Sequence, residues 1–397
     1  MHTQDDDRVS LMIGGRLHST WGRYQIDSDF LIPADAWSVT LGLPGGTFPE
    51  DVTRGAPVLV RVGDETVMTG RIDRIQRSAA RGQLTLSLSG RDGAAVLVDC
   101  ASPVFTSRQL SLEEVIARIV KPLGVTSIRR DAEGTIQTDR VSVEPGERAW
   151  ETLARAAATR GLWPWFEPDG TLVIGGPDYT APAVATLVLN RDGGGNNLIS
   201  LNETTSVNGC FSGLTVLAQG HAQGKKVSVN TEIIDVYAAG DVPQVDEVAT
   251  AAGTAENGFH GLKAVQRDTT VPYYRPQIMV VGDADNQEQV RYRARKIMAD
   301  ARLTGCDLVA VVRGHRTADG TLWQPGQRVR IKSEPHGIDD IYFLMGREFT
   351  GGRPEGTLTT LRFKEDGIWI PDAYPKKRKT RKNKSKLNKK VEIVDVE

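Results

Sequence analysis

The carboxylates best placed for chemistry are Glu167 and Asp169, which stand beside Trp163 and Trp165 in the run from Leu162 to Gly170. Hydrolysis of a glycosidic bond uses two carboxyl groups, and indole rings stack on sugars, so this cluster is a candidate for cell-wall hydrolysis. A plainer reading competes with it and is preferred. Asp169 serves the turn Pro168-Asp169-Gly170, and the tryptophans alternate with Pro164 to supply core and interface area. Elsewhere reactive residue types are dispersed. His2, His18, His221, His260, His315 and His336 include no pair four residues apart and no His-Glu-x-x-His, so zinc hydrolase chemistry lacks its ligands. Neither a Gly-x-Ser-x-Gly elbow nor a phosphate loop ending in Gly-Lys-Ser/Thr occurs. Gly193-Gly194-Gly195 lacks a following lysine and a strong helix start, so it reads as a mobile turn rather than a phosphate cradle. His315 and Trp323 read as a packed pair near a turn. No catalytic, cofactor-binding or metal-binding residue is assigned.

The elements that carry these residues are short. From Pro145 to Ile174 the pattern is a helix, a stop and a β-hairpin. Trp150, Leu153, Ala154 and Ala157 fall on one helical face, and Gly161 suits the left-handed position after the last turn. Before it, Val58, Val60 and Val62 alternate, a Gly63-Asp64 turn follows, and Val67 to Ile75 returns. Leu84, Leu86 and Leu88 then face away from Thr85, Ser87 and Ser89. Strict alternation over successive runs predicts an antiparallel sheet with one dry face. A helix is expected from the Ser111/Glu114 capping box, with Leu112, Val115, Ile116, Ile119 and Val120 as its stripe and Pro122 and Gly124 at its end. Another is expected after Asp285 and Glu288, lined by Val290, Ala294, Ile297, Met298 and Ala301 and ended by Gly305. Strands are expected at Leu198 to Ala218, Leu308–Arg313, Gln327–Lys332, Ile341–Phe349 and Thr357–Lys364.

Composition excludes several classes. A chain of 397 residues exceeds one ordinary core and implies two to four domains. The acidic, polar start from Met1 to Asp7 is unlike a signal peptide, and the longest apolar runs are strand-length, far short of the ~20 residues of a membrane-spanning helix. Three widely spaced cysteines argue against a disulfide framework and fit a reducing compartment. The net charge of −1 hides an asymmetry: residues 376–397 hold ten Lys/Arg against three acidic residues. That basic tail has three readings: a solvated disordered end, a nucleic-acid or anionic-lipid contact without aromatic interleaving, or an arm for an acidic partner. Lys376, Lys377, Arg378, Lys379, Arg381 and Lys382 are its candidate contact residues.

Four segments in order resemble the baseplate hub proteins of Mu-like contractile-tailed phages, the late control protein D group. They are the strand pair containing Gly70-Arg-Ile-Asp73, the helix with Trp150 and Leu153, the Asp169-Gly-Thr-Leu172 turn, and the block Gly314 to Gly326 with its Gly-Thr-Leu-Trp-Gln-Pro-Gly ending. The resemblance implies a β-rich α+β fold with two tail-tube-like antiparallel barrels, and a homotrimeric ring. It divides the chain into a first barrel (1–102), a helix and hairpin domain (103–185), and a discontinuous second barrel (186–218 with 306–371). An insertion (219–305) carries a helix at 285–304, and a basic disordered tail (372–397) follows. It implies a structural, non-enzymatic hub in the virion tail, assembled in the host cytoplasm. Such a hub joins tail tube, central spike and baseplate wedge proteins, has no cofactor and no membrane insertion, and lets DNA pass through its channel without specific binding. The alternatives are the hub of a tailocin or type VI-like injection device, and a tail-associated cell-wall hydrolase.

Overall fold

The computed structural model describes residues 7–43, 46–81, 83–104, 106–107, 112–130, 141–143, 145–158, 162–218, 262–281, 287–352 and 356–368. Alternating apolar residues make long, mostly antiparallel strands, and thirteen of them join in one sheet. Across it run Ser200–Thr205, Cys306–Arg313, Leu358–Glu365, Ile338–Gly352, Arg23–Asp29, Ala36–Gly42, Gln83–Asp92, Glu65–Ala80, Pro57–Val62, Val9–Ile13 and Arg16–His18. Arg328–Ser333 pairs with the start of Ile338–Gly352 and, in parallel, with Ala185–Leu189. The expected parity holds: Val58, Val60, Val62, Leu86 and Leu88 are buried, while Thr85, Ser87 and Ser89 are only partly so.

The two strand-rich blocks were expected as separate barrels, and here the structure differs. They share one core, in which Leu11, Ile26 and Trp37 pack in the same cluster as Leu308, Val329, Phe349 and Leu361. Closure of either block on itself is not seen in the pairing among the described residues. The reason is the length of Ile338–Gly352, fifteen residues in one strand. Its first part pairs with Arg328–Ser333, and its last part, from Gly346 to Gly352, pairs with Arg23–Asp29. A register shift between Leu344 and Gly346 lets the strand turn from one neighbour to the other.

Helices α1 (Ala95–Asp99), α2 (Leu112–Val120) and α3 (Ala149–Ala158) build a second core with the hairpin Trp163–Phe166/Leu172–Gly175. All five stripe residues of α2 are buried, and Gly124 at φ +85° closes the turn after it, where a side chain would be strained. In α3 Trp150, Leu153 and Ala157 are buried as expected, whereas Ala154 is only partly so. Ile128–Arg130 adds a parallel strand beside Leu172–Gly175.

Residues 205–306 form a separate compact unit. Gly213–Ala218, expected in the second barrel, lies here between Leu262–Arg267 and Pro276–Val281. Leu214, Val216 and Ala218 pack with Val290, Ala294 and Met298 of α4 (Gln287–Gly305), so this strand's apolar face belongs to another core. Ser111, Gly161, Asp285 and everything from Trp369 on, the basic segment included, lie outside the described residues.

Gly90 allows the tightest approach in the large sheet. A Cβ there would stand 1.9 Å from the Arg71 carbonyl oxygen and 2.7 Å from the Trp37 ring. Gly90→Ala is therefore expected to destabilise by at least ~1–3 kcal/mol through overpacking. A urea midpoint equal to the parent's would contradict this.

Candidate functional site

Where the long strand meets Arg23–Asp29, the sheet buries charge. Arg347, 2% exposed, donates from its guanidinium to the Ile26 carbonyl at 3.0 Å and stacks over the Phe349 ring at 4.0 Å. Burial lowers its pKa to about 10, which still leaves it charged at neutral pH. Arg362 on the neighbouring strand donates through Nε to Asp29 at 2.8 Å and also binds Asp27. Gly346 opposes Asp29, and a Cβ there would fall 2.3 Å from its carboxylate oxygen, so glycine makes room for the charge.

The loop after Asp29 turns on its own carboxylate, which accepts the Leu31 N–H at 2.9 Å. The loop returns to Asp35, whose side chain accepts from the Asp29 N–H at 3.0 Å and from the Ser28 hydroxyl. The Asp35 carbonyl in turn accepts the Asp92 N–H at 3.0 Å, and Asp92 uses its side chain to hold the Ala94 N–H at 3.0 Å, at the entry to α1. Neither Asp35 nor Asp92 has an ion-pair partner among the described residues. Burial pushes Asp35 up to about 6. Burial, reinforced by the Asp35 charge, holds Asp92 well above the ordinary carboxylate range. Both face a cleft of about 380 Å³, whose wall also includes Phe30, Trp165, Phe343 and Arg347.

The described residues among those singled out in the sequence make local contacts. Glu167, on the rim of this cleft, pairs with Arg129 at 2.9 Å and accepts from the Trp165 indole N–H at 3.4 Å. Asp169 accepts the Thr171 N–H at 2.8 Å and holds the hairpin turn, with Gly170 at φ +89°. In the triple-glycine loop the Gly194 N–H is turned onto Asp192 at 2.8 Å rather than outward. His315 is fully buried, and Trp323 is 2% exposed. His315 lies 2.9 Å from the Tyr24 hydroxyl through Nε2 and 3.0 Å from the Thr359 hydroxyl through Nδ1. Burial lowers its pKa to about 3, so it is neutral, and one tautomer satisfies the network: Tyr24 O–H donates to Nε2 and Nδ1–H to Thr359. Thr359 then donates to the Gly314 carbonyl at 2.6 Å. His18 pairs with Asp51 at 3.2 Å and His336 with Ser333 at 2.7 Å. No three His, Cys, Asp or Glu side chains gather as a metal site among the described residues, and all three cysteines are free. Lys376, Lys377, Arg378, Lys379, Arg381 and Lys382 lie outside the described residues.

Sequence reasoning missed Asp29, Asp35, Asp92 and Arg347. One signal was present: Arg347 shares strand parity with Phe349 and stands opposite Leu361, so a charge sits where the alternation demands an apolar side chain.

Comparison with known proteins follows the same architecture. Residues 8–92 match the model of the Mu phage baseplate assembly protein GpP-like N-terminal domain, and 94–176 that of the second domain of baseplate hub protein gp44-like proteins. Residues 245–298 and 300–368 match the third and C-terminal domains of NMB1110-like tail proteins. The crystal structure of the tail protein from Neisseria meningitidis MC58 is 38% identical, with a TM-score of 0.77 over 93% of this chain and 99% of that one. The 43 kDa tail protein of prophage MuSo2 from Shewanella oneidensis is 22% identical, with a TM-score of 0.73 over 91% and 99%. Baseplate hub protein gp44 of Escherichia phage Mu is 25% identical over 345 residues, 85% of this chain and 82% of that protein. The chain belongs to the family of phage tail proteins that the Neisseria structure represents, and its second domain is of the baseplate hub gp44-like type.

A carboxyl that binds its proton more tightly in the folded chain than at its unfolded value of about 4 stabilises the fold at low pH. That contribution is lost as pH rises through the raised folded value. Asp35 and Asp92 therefore weaken the fold between about pH 4 and neutrality and above. Asp92→Asn keeps an acceptor for Ala94 and removes the charge, so it should raise the urea midpoint more at pH 8 than at pH 5. An equal change at both pH values, or a larger gain at pH 5, would contradict the assignment.

Proposed function

We propose that this chain is the central hub of a contractile tail baseplate, three copies forming a ring that joins the tail tube to the central spike and contacts the wedge proteins. The observation that carries this reading is the joining of two strand-rich blocks of one chain, edge to edge, through Arg23–Asp29 and Ile338–Gly352. Three such chains present six blocks to a six-fold tube while remaining three-fold toward a trimeric spike. The sheet path ends in two mostly exposed strands, Arg16–His18 and Ser200–Thr205, and head-to-tail closure of a ring covers strand edges that a monomer leaves open. The hole of the ring is the channel through which DNA leaves. In this reading Lys376, Lys377, Arg378, Lys379, Arg381 and Lys382 dock on an acidic protein surface.

Mass photometry of the purified chain, alone and with its spike partner, should show a species of three times the chain mass. Monomer alone under both conditions would count against the ring. The cleft carboxyls hold structure in this reading and cut nothing, so a peptidoglycan zymogram should remain uncleared. Clearing that Glu167→Gln or Asp92→Asn abolishes would make the protein a hydrolase instead.

A further inference from the structure

We infer that the cleft carrying Asp35 and Asp92 is the acidic surface that receives the chain's own basic segment, Lys376 to Lys390. The cleft has the composition that a Lys or Arg side chain needs. Phe30, Trp165 and Phe343 line it with aromatic faces, against which an aliphatic stem packs and a cation is attracted. Its wall holds four carboxyl groups, Asp35, Asp92, Glu167 and Asp178, against two cations, of which Arg129 pairs with Glu167 and Arg347 offsets Asp35 only through space, without a direct ion pair. The wall's own buried cation, Arg347, donates to the Ile26 carbonyl and stacks on Phe349. A volume of about 380 Å³ is small for a folded partner but falls in the range of sites that take a few side chains.

Two further facts select this segment as the occupant. The described chain ends at Ile368, two residues beyond Asp366, whose carboxylate binds Arg328 at 2.5 and 3.0 Å. Arg328 directly follows Gln327, a residue of the cleft wall. From Ile368 to Lys376 an extended chain reaches up to about 28 Å, several times the width of a cavity of this volume. The second fact is charge: ten of the fifteen residues from 376 to 390 are Lys or Arg, and none is acidic. A cation brought to the carboxyl pair favours its ionised form, so docking releases protons near neutral pH.

The inference rests on the reading of Lys376 to Lys382 as a contact for an acidic protein surface, and one experiment separates the two. The probe is a fluorescent peptide of the sequence 376–390, titrated by anisotropy against the full chain whose ten basic residues in that segment are replaced by Gln. Binding is expected, at least tenfold weaker at 0.5 M than at 0.05 M salt. It should fall at least tenfold further with Asp35→Asn plus Asp92→Asn, or with Trp165→Leu should the double variant fold poorly. The unaltered chain should bind the peptide at least tenfold more weakly, because its own segment competes. Tight, salt-dependent binding that survives the cleft substitutions overturns the cleft as the site and leaves the arm reading standing. Absence of any salt-dependent binding overturns both. Binding to duplex DNA with no binding to the protein makes the segment a nucleic-acid contact.

Discussion

One strand has to serve two neighbours. Ile338–Gly352 pairs within the C-terminal block through its first part and with Arg23–Asp29 through its last, so one strand belongs to both blocks. The strand does this with a guanidinium buried in its middle. Removing such a group from water costs several kcal/mol unless its protons find acceptors and its charge a partner. Arg347 finds an acceptor in the Ile26 carbonyl, which belongs to the other block, and a ring in Phe349. The ring belongs to its own strand, whereas the carbonyl is supplied only while the two blocks are joined, and the buried Nε–H has no hydrogen-bond partner among the described residues. Lysine could not reproduce this, because it lacks the planar face and the fixed fork of donors.

The same junction explains the carboxyl groups. Asp29 meets Arg362 and a glycine that leaves space for it, while Asp35 and Asp92 have hydrogen-bond donors but no ion-pair partner among the described residues. A buried carboxyl supplied with hydrogen-bond donors but no direct ion pair keeps its geometry, while burial raises its pKa. These groups tie the loop Phe30 to Ala34, the end of Gln83–Asp92 and the start of α1 to one point. The helix and hairpin region is anchored there as well: Phe30 meets Trp165 edge-on at 5.3 Å, and the Thr69 hydroxyl donates to the Pro168 carbonyl at 2.7 Å.

Much of the local structure was legible because period and parity are local. Val58, Val60 and Val62 declare a half-buried strand, and the stripe from Leu112 to Val120 declares a helix face. Pro168-Asp169-Gly170 declares its turn, in which Asp169 accepts the Thr171 N–H while Glu167 pairs with Arg129. Parity does not say which core a strand joins. Gly213–Ala218 alternates like a strand of the large sheet, yet it packs on α4. The junction was illegible for a related reason, since Arg347 and Ile26 are 321 residues apart and neither carries a local sign of the other. The carboxyl cluster is similarly assembled from a loop, a strand end and a helix entry, with no spacing rule to announce it.

Sharing one core and one strand, the two strand-rich blocks form one cooperative piece. Native-state hydrogen exchange with fragment-level mass spectrometry tests it directly. Amides of Arg23–Asp29, Gly346–Gly352 and Val58–Val62 should exchange with the same opening free energy and the same denaturant dependence, equal to global unfolding of that body. If Val58–Val62 opens at a distinctly lower free energy while Leu358–Glu365 stays protected, the blocks unfold separately and the claim is wrong.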